Sequence, residues 1–195
     1  MAARSDDTHR MAQQRMPTAQ EPSSARLAAG RPRPVVFCHH SADVGGGSDL
    51  SLWELVQVLP RDRFAPLVVL RTGDPMVPRY RAAGCDVLEL PLVSPRRSGN
   101  PLHSLRFILN LAPAAWRIAR AIRRHRAACV HVNTLTNLQG ALAARWAGRP
   151  LVWHVRELMP ASRGYRMLAW LARRWATRIV AISHAVAQAF SGCGK

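Results

Sequence analysis

Four short polar stretches of the sequence carry residue types that can bind or react with a charged ligand. They are Gly45-Gly46-Gly47-Ser48, Asn133-Thr134, His154 with Arg156 and Glu157, and Ser183 with His184. Each stretch follows an apolar run that predicts a buried strand. Because ligands of open parallel sheets bind at the carboxyl ends of the strands, we expect the four stretches to lie along one edge of a sheet.

The glycine stretch joins the apolar run at residues 34–40 to an amphipathic run that begins at Ser48. Glycines allow positive φ angles and close backbone approach, and the Ser48 hydroxyl is predicted to cap the following helix. A strand, a glycine turn and a helix N-terminus are typical of nucleotide- or phosphate-binding domains. The spacing is neither the dinucleotide fingerprint G-x-G-x-x-G nor a P-loop. For this stretch alone, a tight connection without a ligand is an equal alternative.

His154 is the strongest single candidate for a group that acts on a ligand, because it ends a buried strand beside two charged residues. Those two residues, Arg156 and Glu157, could instead form only a surface ion pair. Ser183 could be only a helix N-cap. His131 lies in the middle of a strand, and we interpret it as a hydrogen-bonded core histidine.

The eight histidines predict no metal site. The motif H-E-x-x-H does not occur, and the adjacent pair His39-His40 points to opposite faces of a strand. Ser183-His184 does not predict a catalytic triad, since sequence neighbours do not supply that geometry and the G-x-S-x-G motif is missing. The sequence therefore predicts neither a metal nor an organic cofactor.

Alternating strands and helices are predicted to position these residues. Strands are expected at 34–40, 64–71, 85–92, 129–132, 151–155 and 178–183, and helices at 48–59, 76–83, 102–125, 137–147, 163–177 and 184–190. Pro113 predicts a kink in the long helix or a break into two. Continuous apolar strands joined by helices indicate an α/β fold, a Rossmann-like doubly wound parallel sheet with helices on both faces.

The chain is predicted to contain a disordered leader at residues 1–33 and one α/β domain at 34–195. The net charge is +17, and all of the positive residues except Lys195 are arginines. Without a helix-turn-helix, zinc-finger or RRM pattern, this charge predicts no specific binding of nucleic acid. It favours anionic partners, including acidic membrane surfaces and phosphorylated substrates. The basic stretches 116–126 and 163–178 could be solvated faces or contacts for lipid headgroups.

The four cysteines lack C-x-x-C spacing, and three of them lie in strand-like apolar runs. This pattern predicts free buried thiols in a reducing compartment. No secretory signal and no apolar run of about 20 residues occur. We therefore expect a cytoplasmic protein, with peripheral contact to the inner membrane face left open.

The chain from Val35 to Ser183 resembles the N-terminal domain of family 4 glycosyltransferases, the retaining enzymes of GT-B architecture. The resemblance lies in the order and spacing of six segments: 45–48, 81–87 (Arg-Ala-Ala-Gly-Cys-Asp-Val), 130–133 (Val-His-Val-Asn), 148–152 (Gly-Arg-Pro-Leu-Val), 154–157 (His-Val-Arg-Glu) and 180–183 (Val-Ala-Ile-Ser). It implies a Rossmann-like half of a GT-B enzyme. The implied reaction is transfer of a sugar, with retention, from a nucleotide sugar to a lipid-linked or polysaccharide acceptor.

The resemblance also implies roles for single residues. His154 would lie beside the transferred sugar and position it, rather than act as a nucleophile. The remaining implied contacts are the donor phosphate or acceptor for Gly45, Gly46, Gly47 and Ser48, the acceptor for Asn133, Thr134, Arg156 and Glu157, and the interdomain cleft for Ser183. Asp49, at the same helix start, opposes the binding of a diphosphate slightly.

Family members continue into a second Rossmann-like domain, which binds the nucleotide sugar and carries a glutamate pair. This sequence contains no such region. We therefore expect a truncated product or a half-enzyme that needs a partner chain, inactive alone. The alternative is a stand-alone, non-catalytic Rossmann-like module.

Overall fold

The computed structural model describes residues 31–39, 46–95, 100–158 and 162–191. These ranges contain a six-stranded sheet with the order β3-β2-β1-β4-β5-β6, in which every neighbouring pair is parallel. The strands are β1 Arg33–Cys38, β2 Phe64–Arg71, β3 Asp86–Leu90, β4 Cys129–Val132, β5 Leu151–Val155 and β6 Arg178–Ala181. The predicted doubly wound parallel sheet is confirmed. Residues 1–30 of the predicted leader lie outside the described ranges, and β1 begins at Arg33, one residue before the predicted boundary.

Helices connect the strands in the predicted order. They are α1 Gly47–Gln57, α2 Val77–Ala82, α3 Pro101–Arg124, α4 Leu138–Ala147, α5 Arg163–Trp175 and α6 His184–Gln188. Helix α5 ends two residues earlier than predicted, because the N–H of Thr177 donates to the Leu151 carbonyl at 2.8 Å and so joins the sheet. None of the helices in the described ranges combines the length and the apolarity that crossing a bilayer requires.

Helix α3 is a single helix that continues through Pro113, so the alternative of two separate helices is wrong. Its second half is anchored by a buried apolar face. This face consists of Ala114, Ala115, Ile118, Ala119 and Ile122. Pro113 cannot donate a backbone hydrogen bond to the preceding turn of the helix. The helix continues through it because the burial of this apolar face stabilises the second half. The arginines of the stretch 116–126 lie on the exposed side.

The core has two parts, one on each face of the sheet, because successive strand residues point to opposite faces. Val35 and Phe37 of β1 pack with residues of α1 and α2. Val36 and Cys38 belong to the larger cluster, which includes residues of α3, α4 and α5. Helix α4 lies especially close to the sheet, since a Cβ added to Gly140 would come within 2.7 Å of the Cys38 Cβ.

Candidate active site

A buried polar network joins the ends of β1 and β4 to the first turn of α1. The His39 Nε2 atom is hydrogen-bonded to the Asp49 Oδ1 atom, and the Asn133 Nδ2 group donates to His39 Nδ1 at 3.1 Å. The same Asn133 amide donates to the Ser48 carbonyl at 3.1 Å. Since Nδ1 accepts, Nε2 carries the proton that is donated to the carboxylate. The network fixes the start of α1 relative to the carboxyl edge of the sheet.

The sequence interpretation missed this network. It treated His39 as half of an adjacent pair and Asp49 as a charge that weakens phosphate binding. In the structure, His39 and Asp49 are only 2% and 3% exposed. A carboxylate in the first turn is also favourable beside the positive end of the helix. The sequence does contain a signal for this network. The acidic residue Asp49 follows the glycine turn and lies ten positions after His39, a histidine at the end of an apolar strand.

The glycine turn is described only from Gly46 onward, and Gly45 lies outside the described residues. Gly46 is the N-cap of α1, with an ordinary φ of −67° and no side-chain cap. The prediction that Ser48 caps the helix is therefore wrong, because the helix begins at Gly47 and Ser48 lies in its first turn. Gly47 is exposed, and a Cβ added there would meet nothing within 4 Å. This part of the turn leaves open space next to the start of a helix.

Arg156 spans from the end of β5 to the start of α1. Its Nη1 group donates to the Ser51 hydroxyl, and its Nη2 group donates to the Gly47 carbonyl at 3.3 Å. The Glu157 carboxylate instead accepts from the backbone N–H groups of Leu135 and Arg156, each at 3.1 Å. The interpretation of Arg156 and Glu157 as an ion pair is therefore wrong. Within the described ranges, an ion pair joins Arg81 to Glu89, at 2.9 Å.

His154 and His131 lie side by side, with ring centroids 5.5 Å apart and an interplanar angle of 79°. Burial lowers the pKa of His131 to about 4, with smaller effects from positive charge at His154 and Arg156. Burial, and then the Arg156 charge, also lowers the pKa of His154. Both imidazoles are therefore neutral near pH 7. His131 packs against Phe37, with centroids 5.4 Å apart, and makes no hydrogen bond within the described residues, so the hydrogen-bonded interpretation is wrong.

The sequence model of Glycosyltransferase Family 4 matches residues 45–194. The chain belongs to this family. Among curated proteins, no sequence matches this chain.

Several solved structures resemble this chain over most of its length. HepE from Anabaena, solved with UDP and glucose, has a TM-score of 0.61 and 25% identity, covering 82% of this chain and 41% of HepE. MurG from Acinetobacter baumannii has a TM-score of 0.58 and 14% identity, covering 80% of this chain and 42% of MurG. The lipopolysaccharide outer core galactosyltransferase WaaB, in its apo form, has a TM-score of 0.54 and 12% identity, covering 83% of this chain and 43% of WaaB. This family 4 chain therefore spans about two fifths of the length of these proteins and has the fold of a GT-B N-terminal half.

The remaining predicted site residues of the family 4 domain lie at the expected edge but differ in accessibility. Asn133 is 1% exposed and Thr134 is 8% exposed. The Thr134 carbonyl accepts from the Trp153 indole N–H at 2.8 Å. Ser183 caps α6 by accepting from the Val186 N–H at 3.3 Å, so the N-cap interpretation is confirmed. The predicted ligand contacts of these three residues stay predictions.

The contacts therefore bring together the start of α1, Asn133 and Arg156, and His154 lies one residue before the end of β5. No hydrogen bond between described residues joins Ser183 to this group. Within the same ranges, no cluster of three or more His, Cys, Asp or Glu side chains is arranged to hold a metal ion. A helix N-terminus, a neutral imidazole and a guanidinium can together bind an anionic ligand and hold its neighbouring hydroxyl groups.

Proposed function

We propose that this chain is the acceptor-side half of a retaining glycosyltransferase that moves a sugar from a nucleotide sugar to a lipid-linked or glycan acceptor. The observation that carries the proposal is the double contact of Arg156 with Ser51 and the Gly47 carbonyl. This contact holds the start of α1 beside β5, the strand that contains His154. Family membership and the solved HepE complex with UDP and glucose support a nucleotide-sugar donor.

In this proposal, the backbone N–H groups of the turn Gly45–Ser48 and the positive end of α1 stabilise the leaving diphosphate. The neutral imidazole of His154 hydrogen-bonds a hydroxyl group of the transferred sugar and so fixes its orientation. Its neutral state follows from its lowered pKa. The acceptor side is formed by Asn133, Thr134, Arg156 and Glu157. Ser183 faces the interdomain cleft.

The reaction also needs a donor-binding half, which we propose is supplied by a further segment or by a partner chain. The proportion of the solved relatives that this chain covers supports that requirement. We propose a cytoplasmic location, supported by the free thiols of Cys38, Cys85 and Cys129. Burial raises the pKa of the Cys38 thiol to about 12, which keeps it protonated and inert.

The test is a fusion of this chain to the part of HepE that it does not cover, supplied with UDP-glucose and an acceptor fraction. We expect UDP release from the fusion and not from either half alone, with retention seen in the NMR spectrum of the product. His154→Ala in the fusion should abolish most of the release, whereas Arg178→Ala, an exposed arginine at the start of β6, should not. Release that is unchanged in both His154→Ala and Arg156→Ala would overturn the proposed roles.

A further inference from the structure

An apolar groove of about 300 Å³ lies between the first halves of α3 and α5. We call it the α3–α5 groove. It is lined by Pro95, Phe107, Thr136, Leu138, Ser162, Gly164, Tyr165, Met167 and Leu168. Most of these side chains are apolar, and the volume lies at the lower end of the range for small-molecule sites.

The first half of α3 extends the apolar surface beyond the groove. A neighbouring cavity of about 240 Å³ shares Pro95 and Phe107 with the groove and continues along α3 to Ile108. Four apolar side chains of this half-helix are 51–67% exposed: Leu102, Leu105, Ile108 and Leu109. The second half of α3 buries its apolar face in the core, so this first half presents apolar surface that the fold itself does not use.

Hydrogen bonds hold the wall of the groove in place. The chain after β3 is fixed where the Val93 N–H donates to Asn110 Oδ1 at 3.2 Å and the Val93 carbonyl accepts from Gln139 Nε2 at 2.7 Å. The next carbonyl, that of Ser94, lies 2.8 Å from His103 Nε2. These contacts tie the loop to α3 and α4, so the groove does not need to be formed by its ligand.

The two helices that form the groove carry only positive charge. Arg106, Arg163 and Arg166 are exposed and lie next to lining residues in sequence. Helices α3 and α5 contain no aspartate or glutamate, and Glu157 is the only acidic residue of the chain after Glu89. Its carboxylate is held by two backbone N–H groups. An apolar groove with a positive margin complements a molecule that joins a hydrocarbon chain to an anionic group.

The groove also shares a loop with the candidate active site. Thr136, which lines the groove, is hydrogen-bonded through its hydroxyl to the Thr134 hydroxyl at 3.3 Å. The neighbouring Leu135 N–H donates to Glu157. A ligand chain lying in the groove therefore places its head close to the proposed acceptor side.

We propose that the α3–α5 groove binds the hydrocarbon chain of a phosphate-linked lipid acceptor, with Arg163 and Arg166 meeting the phosphate. This inference rests on the proposed function and names its acceptor class. The proposal selects a lipid-linked acceptor over a polysaccharide, because a polysaccharide has no hydrocarbon chain that could fill an apolar groove.

The test is titration of the full chain with octyl, decyl and dodecyl phosphate below their micelle concentrations, and with inorganic phosphate, by calorimetry. Affinity should rise with chain length until the groove is filled, and inorganic phosphate should bind far more weakly. A Cβ added to Gly164 meets nothing within 4 Å, so Gly164→Phe can occupy the groove without disturbing the fold. We expect it to weaken decyl phosphate binding at least about tenfold, the effect of losing about two buried methylene groups.

Gly164→Ala is the matched control for the substituted position and should bind decyl phosphate nearly as the parent chain does. The double variant Arg163→Gln/Arg166→Gln should weaken binding, while the matched control Arg145→Gln/Arg149→Gln, at the end of α4, should not. Equal binding by Gly164→Phe and Gly164→Ala, or no dependence on chain length, would overturn the proposal.

Vesicles that contain phosphatidylglycerol distinguish the acceptor from a membrane surface. If the chain binds these vesicles regardless of Gly164→Phe but does not bind monomeric alkyl phosphates, the groove proposal is wrong and the surface alone is basic enough to bind. The titration does not require sugar transfer. A HepE fusion that releases UDP while the chain fails to bind decyl phosphate would therefore reject the acceptor class and leave the proposed function intact.

Discussion

The guanidinium of Arg156 donates to the carbonyl of Gly47 at 3.3 Å, across 109 positions of sequence. The same side chain reaches the Ser51 hydroxyl one turn further along α1. One residue at the end of β5 thus sets the position of the glycine turn that follows β1. The two strands are not neighbours, because β4 lies between them in the sheet. The contact therefore couples parts of the candidate site that the sheet alone leaves apart.

Replacing Arg156 with alanine should loosen the start of α1. We expect a loss of about 1–2 kcal/mol in the free energy of unfolding, because hydrogen bonds from a charged donor are lost. Faster hydrogen exchange should be confined to the first turn of α1. Arg156→Lys should recover little of the protection, since an ammonium group cannot span two acceptors as the guanidinium fork does. Arg178→Ala is the control, and equal exchange in both alanine variants would contradict the prediction.

Replacing Asp49 with alanine should destabilise the whole domain. The His39 N–H and the Asn133 amide lie in a buried network, so a lost acceptor leaves a buried donor unsatisfied, at a cost of about 1–3 kcal/mol. Asp49→Asn keeps an acceptor oxygen and should recover part of the stability. Urea denaturation measures both effects. Asp62→Ala, which removes an exposed carboxylate, is the matched control. If the urea midpoint of Asp49→Ala shifts as little as that of Asp62→Ala, the network has no structural role.

The sequence predicted the sheet well because its strands are continuous apolar runs. The structure reproduces the predicted bounds of Phe64–Arg71, Cys129–Val132 and Leu151–Val155. Phe64–Arg71 is buried on both faces over most of its length, whereas the other two strands bury one face and half-bury the other. Apolar residues therefore recur along all three runs, and this recurrence identifies them. The ends of the elements were less predictable. The N-cap of α1 is Gly46 rather than Ser48, and both glycine and serine are common N-caps, so the residue types alone do not separate them.

The polar contacts of the candidate site were not predictable in the same way. The described residues of the candidate site do follow the strands at the carboxyl edge of the sheet, because the topology places every carboxyl strand end together. Their ligand contacts stay predictions. Their partners depend on side-chain directions across non-consecutive strands. Glu157 bonds backbone N–H groups and Arg156 bonds α1, so adjacency in sequence suggested a pairing that the fold does not make.

Acidic pH should reduce the stability of the domain through His131 and His154. The pKa of each is lower in the folded protein than the usual value of 6.5, so between about pH 6.5 and pH 4 the unfolded chain binds more protons than the folded chain. The stabilisation is complete above about pH 6.5 and is lost as the pH falls toward the folded pKa of His131, about 4.

Replacing His131 with phenylalanine removes one of these titrating groups while keeping a ring against Phe37. We expect the free energy of unfolding of His131→Phe to depend less steeply on pH between 6.5 and 4 than that of the parent chain. Urea titrations at several pH values measure the slope. His184→Gln, at an exposed histidine, serves as the control. An unchanged slope in His131→Phe would show that this imidazole does not contribute to acid sensitivity.

Two glycines on consecutive helices, α4 and α5, should respond in opposite ways to alanine. At Gly140, the added Cβ would lie 2.7 Å from the Cys38 Cβ and 3.0 Å from a Val132 methyl carbon, so α4 must move away from the sheet. Such overpacking costs about 1–3 kcal/mol. At Gly164, the added Cβ meets nothing within 4 Å, and alanine is favoured over glycine in helices by up to about 1 kcal/mol. Thermal unfolding should therefore give a lower Tm for Gly140→Ala and an equal or higher Tm for Gly164→Ala. A stable Gly140→Ala variant would mean that α4 is not held against β1 and β4 as closely as the positions of Cys38 and Val132 require.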